Sequence, residues 1–494
     1  MSIQATTHES AHALAVGQTG AIVAIDLGAE SCRVSLLRFV EGAPRMQLVS
    51  RVSNSAKEQH GKLQWDIDSL WEQLQEGLRK CGEIAHEGIA SIGVDGWAVD
   101  YVRLGADGRP IAAPYCYRDT RTVAAEEWVR ARVSDEEMFR LTGVQPLRIN
   151  TLFQLVADNA AGVPADAPWV NLPEYILYLL SGVRVAEYTN ATHTQLVESG
   201  TKNWCCSLFR ALDLSLEAAP PIVASGTVLG PIQGALTKVP GYSRAKIIAP
   251  ACHDTASAIA GIPADGDDWA YISSGTWSLV GTLLPVPCTL PEALTEKFTN
   301  LGAAGGDFCF HRNVNGMWLL RQCMDTWSAA GKEWKIDELV AAARQVPPSP
   351  ARFDVDEATL LLPGDVLSRI NLQLIASGFA ELPIDPSEAP RVASVLLQNL
   401  AARYAQVMEE IPVLTGKEIS RIYVVGGGSR NALLNDFTEI ACGIPVSTGF
   451  AESSTIGNFA IQLAALRSEI APGMGVNAVD VKANVQLLEA VQQT

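Results

Sequence analysis

The chain has 494 residues, 48% apolar and 18% charged, with a formal net charge of −17. That length exceeds one hydrophobic core and suits two domains of roughly 200–250 residues each. The apolar share argues against disorder, the acidity argues against a nucleic-acid partner, which needs clustered Lys and Arg, and no apolar run reaches the ~18 residues of a spanning helix.

The first 20 residues lack a basic stretch followed by an apolar block, so they read as a loose extension rather than a signal peptide, and the expected location is cytoplasmic. Ala21 to Phe39 then reads as an apolar strand, a short polar turn and a second apolar strand. WDIDSLWEQLQEGLRKCGEIA follows as a helix, with Ser69 and Glu72 fitting a capping box and Leu70, Leu74 and Leu78 on one face. ASIGVDGWAVDYVRL reads as strand, turn and strand, with Asp95, Gly96, Trp97 and Asp100 at the turn. EEWVRARVSDEEMFRLTG and NTLFQLVADNAAG read as helices, NLPEYILYLLSG as a short helix ended by Gly182, and EYTNATHTQLVE as a polar, β-prone segment.

AKIIAPACHDTASAIAGI carries a buried strand into a small-residue helix and places a domain boundary near residues 245–250. Trp269 to Leu284 repeats the apolar strand, Ser/Gly tip and apolar strand of the first hairpin. DFCFHRNVNGMWLLRQCMDTW is a strand leading into a helix, and SVLLQNLAARYAQVMEEIPVLTG is a long helix. RIYVVGGGSRNALLNDFTEIACGIPVST reads as strand, Gly-rich turn, helix and strand. Strands and helices recurring in both halves define an α/β class with partly parallel sheets.

Two hairpins with polar tips, one in each half, present clustered backbone N–H groups that suit anions, and the repeat suggests a duplicated domain closing on a nucleotide. Asp26 and Gly28 end the first strand. Gly28 allows a tight turn, Asp26 has the oxygen chemistry to hold a water on Mg²⁺, and Arg33 has the length to reach a phosphate. Ser273, Ser274, Gly275, Thr276 and Trp277 form the second tip. Asp254 lies in a run of small residues that admit a ligand closely. It is the candidate for the chemistry, against the plainer reading of a carboxylate capping a helix. Gly426, Gly427 and Gly428 sit where a nucleotide lies at a strand end, but the run is not GxGxxG, which leaves a dinucleotide enzyme weakly supported. Trp97 among acids suits a sugar, with core packing as the alternative. Ten cysteines without CxxC spacing and seven scattered histidines point to reduced thiols and no zinc site.

In order along the chain, IDLGAESCRVSLL, WDIDSL, IGVDGWAVDYVRL, YRDTRT, EYTNATHTQL, HDTASA, YISSGTWSLVG, NVNGMWLL, VVGGGSRNALLN and ESSTIGN resemble the FGGY family of carbohydrate kinases. The resemblance spans about Ala21 to Leu466, and HDTASA followed by SSGTWSL is its specific part. It implies a two-domain actin-like ATPase (ribonuclease H-like) α/β fold, with duplicated mixed-sheet domains and an active-site cleft between them. The corresponding division is an extension at 1–20, an N-terminal domain at 21–248 for sugar and the first phosphate loop, a C-terminal domain at 249–480 for the catalytic acid and nucleotide, and a tail at 481–494.

Carried over by motif, Asp254 is the catalytic base. Trp97, Ala98, His253, Asp254, Thr255 and Asn313 contact sugar. Ala29, Glu30, Ser31, Cys32, Arg33, Thr276, Arg321 and Gly427 hold ATP, and Asp26 attends Mg²⁺ through water. Within the family the resemblance is to kinases that phosphorylate the 1-hydroxyl of L-rhamnulose in L-rhamnose catabolism. L-fuculose or another ketose, and a catalytically silent sugar sensor, remain as alternatives. Four positions depart from that group: Glu30 and Cys32 replace Ser and Gly, Ala98 replaces Gly, and Arg321 replaces Gln. Glu30 is expected to point away from the phosphates, since like charges in a site of reduced dielectric repel.

Overall fold

The computed structural model describes residues 20–467 and 475–493, so the extension read at 1–20 lies outside the described residues but for Gly20. Two mixed sheets organise the chain. The first contains β1 (Ala21–Leu27), β2 (Ser31–Val40), β3 (Ala43–Ser53), β4 (Ile89–Gly96), β5 (Thr227–Pro231) and β6 (Lys246–Ala249). The second contains β7 (Trp269–Ser274), β8 (Trp277–Leu284), β9 (Phe298–Gly302), β10 (Phe308–Asn315), β11 (Arg421–Val425) and β12 (Val446–Thr448).

The spatial order β3-β2-β1-β4-β6 in one sheet is matched by β10-β8-β7-β11-β12 in the other. In each, three antiparallel strands are followed by two parallel to the central one. The duplication expected from the two hairpins is therefore present in the topology. Strand β1 is buried along its whole length, as a central strand covered on both faces requires, whereas β3 alternates inner and outer residues. Within the segment read as a tail, the helix Ala478–Leu488 ends and the short strand Gln492–Gln493 pairs with β3.

Most local readings hold. Helix Leu172–Ser181 ends at Gly182 in the left-handed conformation (φ 72°). Two readings change. The helix at Ile67–Ile84 is capped by Asp66, which accepts the Ser69 N–H at 3.1 Å, rather than by a Ser69–Glu72 box. EYTNATHTQLVE holds a short buried helix, Tyr188–Thr192, because its polar side chains find partners in the core instead of lining a strand. Residues around Met138, Leu152, Phe153, Trp169 and Leu208 form a separate small core in the first domain.

Two helices lie where the domains meet, beside contacts such as Gly302 N–H donating to Thr192 Oγ1 at 2.9 Å. α1 (Asp254–Ala260) follows β6, and α4 (Ser453–Arg467) follows β12, the matching position in the repeat. Two further helices used below are α2 (Trp318–Ala329) and α3 (Ala389–Thr415). Helix α4 belongs in sequence to the second domain but packs on the first sheet, where Gln462 donates to the Val23 carbonyl at 2.9 Å and accepts from Ser91 Oγ at 2.6 Å. It is buried on nearly every side, and its apolar residues share a core with Ile22, Ala24 and Ile248. The α1–α4 crossing is closed by glycine: a Cβ on Gly457 would lie 1.8 Å from the Ser257 carbonyl oxygen.

Gly457→Ala therefore forces the helices apart. A loss of about 1–3 kcal/mol is expected, the usual scale for overpacking, read as a lower urea midpoint with unchanged slope.

Candidate active site

Strands β1, β4 and β6 run parallel, and their carboxyl ends deliver three aspartates to one edge of the first sheet. Asp26 and Asp95 face each other across the β1–β4 ladder. Asp254 opens α1 just beyond β6, and its neighbour His253 bridges to Gly96 at the end of β4. Ligands of open α/β sheets collect at such strand ends.

Asp26 is 3% exposed and accepts from Arg33 at 3.0 Å and from Ser454 Oγ at 2.7 Å. Arg33 also pairs closely with Glu452. It thus bridges the first hairpin to the start of α4 rather than reaching freely for a phosphate. Asp95 is fully buried and accepts from Asn458 at 2.6 Å, while its Oδ1 has no partner. Burial first, and then the charge of Asp26, push the Asp95 carboxyl well above the usual carboxylate range.

Asp254 behaves differently from an N-cap: it is the first helical residue, and the capping position belongs to His253. Its Oδ1 accepts the Thr255 N–H at 2.5 Å and the Thr255 hydroxyl at 3.2 Å, and lies 3.3 Å from His253 Nε2. Its Oδ2 makes no hydrogen bond among the described residues and is free to take a proton. The side chain is 37% exposed. Burial and the neighbouring Asp26 raise its pKa to about 7, opposed by the Thr255 hydrogen bonds and Arg33.

Buried polar groups hold this aspartate's loop in place, and sequence reading missed most of them. Glu187 accepts the Cys252 N–H at 2.8 Å and the Ser225 hydroxyl at 2.6 Å, and Thr189 Oγ1 accepts the His253 N–H at 3.2 Å. His193 Nε2 stands 3.1 Å from His253 Nδ1. Burial drives His253 down to about 3 and His193 well below its ordinary value, so both are neutral. The tautomers that satisfy every contact have His193 donating to His253 and His253 donating to Asp254. The only sequence signal for these residues was the motif EYTNATHTQL itself.

Trp97 and Ala98 lie beside this floor. Trp97 differs from an aromatic platform for sugar: it is 7% exposed, tilts against Trp65 at 4.7 Å and donates its indole N–H to Asp100 at 3.0 Å. Ala98 begins a tight turn in which its carbonyl accepts the Asp100 N–H at 2.9 Å, with Val99 between them at φ 69°. A β-branched residue at positive φ is strained, and here Thr151 and Gln154 fix it by hydrogen bonds to the Val99 carbonyl at 2.7 and 3.3 Å.

The nucleotide candidates form two tips. In the first, Ala29 and Ser31 are half-buried and Glu30 is exposed, with no ion pair among the described residues. The Cys32 side chain points into the core, where burial raises its thiol to about 12, so only its backbone belongs to the loop. In the second, Thr276 is exposed at the hairpin end, and α2 docks against it through Met317 and Trp318 N–H groups donating to the carbonyls of Gly275 and Thr276, each at 3.1 Å. Arg321 follows one turn along α2 with its side chain 71% exposed, and Asn313 is exposed on β10 opposite Leu279. The glycine run packs on this hairpin: a Cβ on Gly426, at φ 80°, would come within 2.8 Å of the Ser274 carbonyl, whereas Gly427 faces open space. All ten cysteines are free, and no cluster of three metal-ligating side chains occurs among the described residues.

Carboxylates thus gather at the strand ends of the first sheet, and each sheet carries a hairpin with a polar tip. Residues 21–261 match the model of the FGGY family of carbohydrate kinases, N-terminal domain, and residues 270–466 match its C-terminal domain. The chain belongs to this family and is an ATP-dependent sugar kinase. Among curated relatives, a rhamnulokinase of Bacteroides thetaiotaomicron is 36% identical over 444 residues, 89% of each chain. One from Enterococcus faecalis is 35% identical over 448 residues, covering 90% of this chain and 89% of its own. In fold, the chain is similar to a ligand-bound xylulose kinase from Lactobacillus acidophilus, with a TM-score of 0.74, 17% identity and coverage of 95% and 96%. It is also similar to Plasmodium falciparum glycerol kinase with ADP, with a TM-score of 0.68, 15% identity and coverage of 94% and 92%. No described helix is long and apolar enough to cross a membrane.

The raised Asp254 pKa fixes a sign. Below about 7 the carboxyl keeps its proton and cannot accept another, so a reaction that uses Asp254 as its base should show kcat/KM for sugar rising with pH through that region. For stability, a carboxyl raised in the folded state favours folding below its unfolded pKa of about 3.9, an advantage lost as pH climbs through about 7. Asp254→Asn should thus be more stable than the parent at pH 8 and no more stable at pH 4, as read by thermal unfolding at both values.

Proposed function

We propose that the protein transfers the γ-phosphoryl group of ATP to the 1-hydroxyl of L-rhamnulose, giving L-rhamnulose 1-phosphate and ADP. The observation that carries this reading is the run of relatives named rhamnulokinase, four of them 32–36% identical over about 90% of the chain. The site chemistry is compatible with it. Asp254 Oδ2 accepts the proton of the attacking hydroxyl as the oxygen–phosphorus bond forms and the bond to the ADP oxygen breaks. His253, held neutral and oriented by His193, keeps Asp254 Oδ1 engaged so that Oδ2 faces substrate. Thr255, Asn313 and the backbone around Trp97 and Ala98 line the sugar side.

ATP lies between the tips, with the Ala29–Arg33 loop and Thr276 toward the phosphates, and Gly427 and Arg321 beside the rest of the nucleotide. Amide N–H groups at both tips stabilise charge on the transferred group. The residues fit a divalent ion held mainly by phosphate oxygens and water: Asp26, at the end of β1, has the oxygen chemistry to hold one of those waters, and no cluster of three metal-ligating side chains occurs among the described residues. When bound, Mg²⁺ would neutralise phosphate charge. Closure of the domains excludes water that would otherwise hydrolyse ATP.

The alternative is a different ketose such as L-fuculose, because Ala98, buried beside the strained Val99, adds a methyl group on the side read as binding sugar. A coupled ADP-release assay across ketoses separates the readings: greatest kcat/KM on L-rhamnulose is expected, a preference for another ketose would reassign the substrate, and no sugar-dependent release would make the chain a silent sensor. Ala98→Gly should leave L-rhamnulose activity level or lower; a gain of tenfold, about 1.4 kcal/mol, would indicate another native ketose. Asp254→Asn should lower kcat by on the order of 10²–10⁴ with a smaller change in sugar KM. Glu30→Ser should change KM for ATP little, and a several-fold tightening would place Glu30 against the nucleotide.

A further inference from the structure

The backbone that leads into Asp254 is pinned on two sides. β6 ends at Ala249, and residues 250–253 connect it to α1. In that connection the Ala251 carbonyl accepts the Ser257 hydroxyl at 2.8 Å, the Cys252 carbonyl accepts the Gly96 N–H of β4 at 2.9 Å, and the His253 carbonyl accepts the Ser257 N–H at 2.9 Å. The two N–H groups just before Asp254 depend instead on Glu187. Glu187 Oε2 accepts the Cys252 N–H at 2.8 Å, the Thr189 N–H at 3.1 Å and the Thr189 hydroxyl at 2.5 Å. A threonine hydroxyl has one proton to give. Thr189 gives it to Glu187, which leaves its oxygen to accept the His253 N–H at 3.2 Å.

Glu187 is 0% exposed and forms no salt bridge among the described residues. Burial, and then the charge of Glu187, pushes the neighbouring Glu174 up to about 8, so Glu174 holds its proton at neutral pH while accepting the Glu187 N–H at 3.1 Å. The charge of this acid pair thus rests on Glu187, and the Ser225 hydroxyl, 2.6 Å from Oε1, completes the donors around it. Burying a carboxylate is costly, and convergent donors offset that cost. An ionised carboxylate accepts and never donates, so it sets the direction of each group that meets it. We propose that Glu187 is a positioning residue for phosphoryl transfer: through Cys252 directly, and through His253 by way of Thr189, it holds Asp254 where Oδ2 meets the attacking hydroxyl. This role rests on the reading of Asp254 as the base. The effect is one of geometry, since a displacement of about 1 Å at a reacting group costs on the order of 10²-fold in rate. In Glu187→Gln the amide oxygen, placed at Oε2, still accepts from Cys252 and Thr189, and the amide nitrogen donates to Ser225 Oγ. In Glu187→Ala the Cys252 N–H loses its partner, and Thr189 loses the acceptor that directs its proton.

The test is steady-state ADP release by the full chain with ATP and L-rhamnulose, or L-fuculose if that is the ketose preferred, at a temperature well below the unfolding midpoint of each variant. Glu187→Ala should lower kcat about 10–100-fold, with KM for ATP within about twofold of the parent, and Glu187→Gln should recover kcat to within about threefold. Thr189→Val, which removes the acceptor of the His253 N–H, should lower kcat about tenfold with the same unchanged KM for ATP. It decides the matter if thermal unfolding shows that Glu187→Ala does not fold. Parent-like kcat in the deciding variant, an equal fall in Glu187→Gln and Glu187→Ala, or a rise in KM for ATP as large as the fall in kcat would each overturn the proposal. Asp254→Asn is assayed alongside: near-normal turnover there would overturn the reading of Asp254 as the base, whereas an inactive Asp254→Asn beside fully active Glu187 and Thr189 variants would overturn the positioning role alone.

Discussion

The site depends on the crossing of α1 and α4. Because Gly457 has no side chain, the two helices meet backbone to backbone, with Gly457 against Ser257 and Ser453 Oγ donating to the Ala258 carbonyl at 2.8 Å. From that position α4 donates to Asp26 through Ser454 and to Asp95 through Asn458, and reaches the backbone of β1 through Gln462. A helix from the second domain thus supplies hydrogen bonds that the first domain's carboxylates need. Removing those donors would leave buried acids unsatisfied, which costs more than the bonds themselves contribute. The same contacts that join the domains therefore hold the acids in place.

Three acids gathered around one arginine cannot all be ionised comfortably in a partly dry cleft. The structure separates their roles by environment. Asp26 is matched to Arg33 and Ser454, Asp95 is buried beyond solvent and tends to the neutral form, and Asp254 faces the cleft with its pKa raised to about 7. Environments that push like groups apart mark a site for proton transfer. The neutral His193–His253 pair adds orientation without adding charge, so Asp254 keeps its basicity.

The two tips show how duplication was put to different uses. In the first half, the strand ends carry carboxylates and the hairpin carries Arg33. In the second, the matching strand β11 ends in glycine and packs on Ser274, leaving Gly427 open. One repeat became a floor of acids and the other a surface that a flat or bulky group can approach.

Sequence alone determined much. Hydrophobic alternation and turn residues marked both hairpins, the long helix ending near Thr415 and the strand before the glycine run, because these depend on local period and local backbone freedom. Asp254 stood out as an acid among small residues. What sequence did not decide was which polar residues meet. Asp66 rather than Ser69 caps its helix, Trp97 is bound to Asp100 within the core, and Cys32 turns inward, since strand alternation and packing choose the face. Asn458 is 363 residues from Asp95, and Glu452 is 419 from Arg33. No period or spacing encodes a partner that far away. Only the packing of α4 on the first sheet brings those groups together, because burial makes each seek a hydrogen bond wherever the chain has placed one.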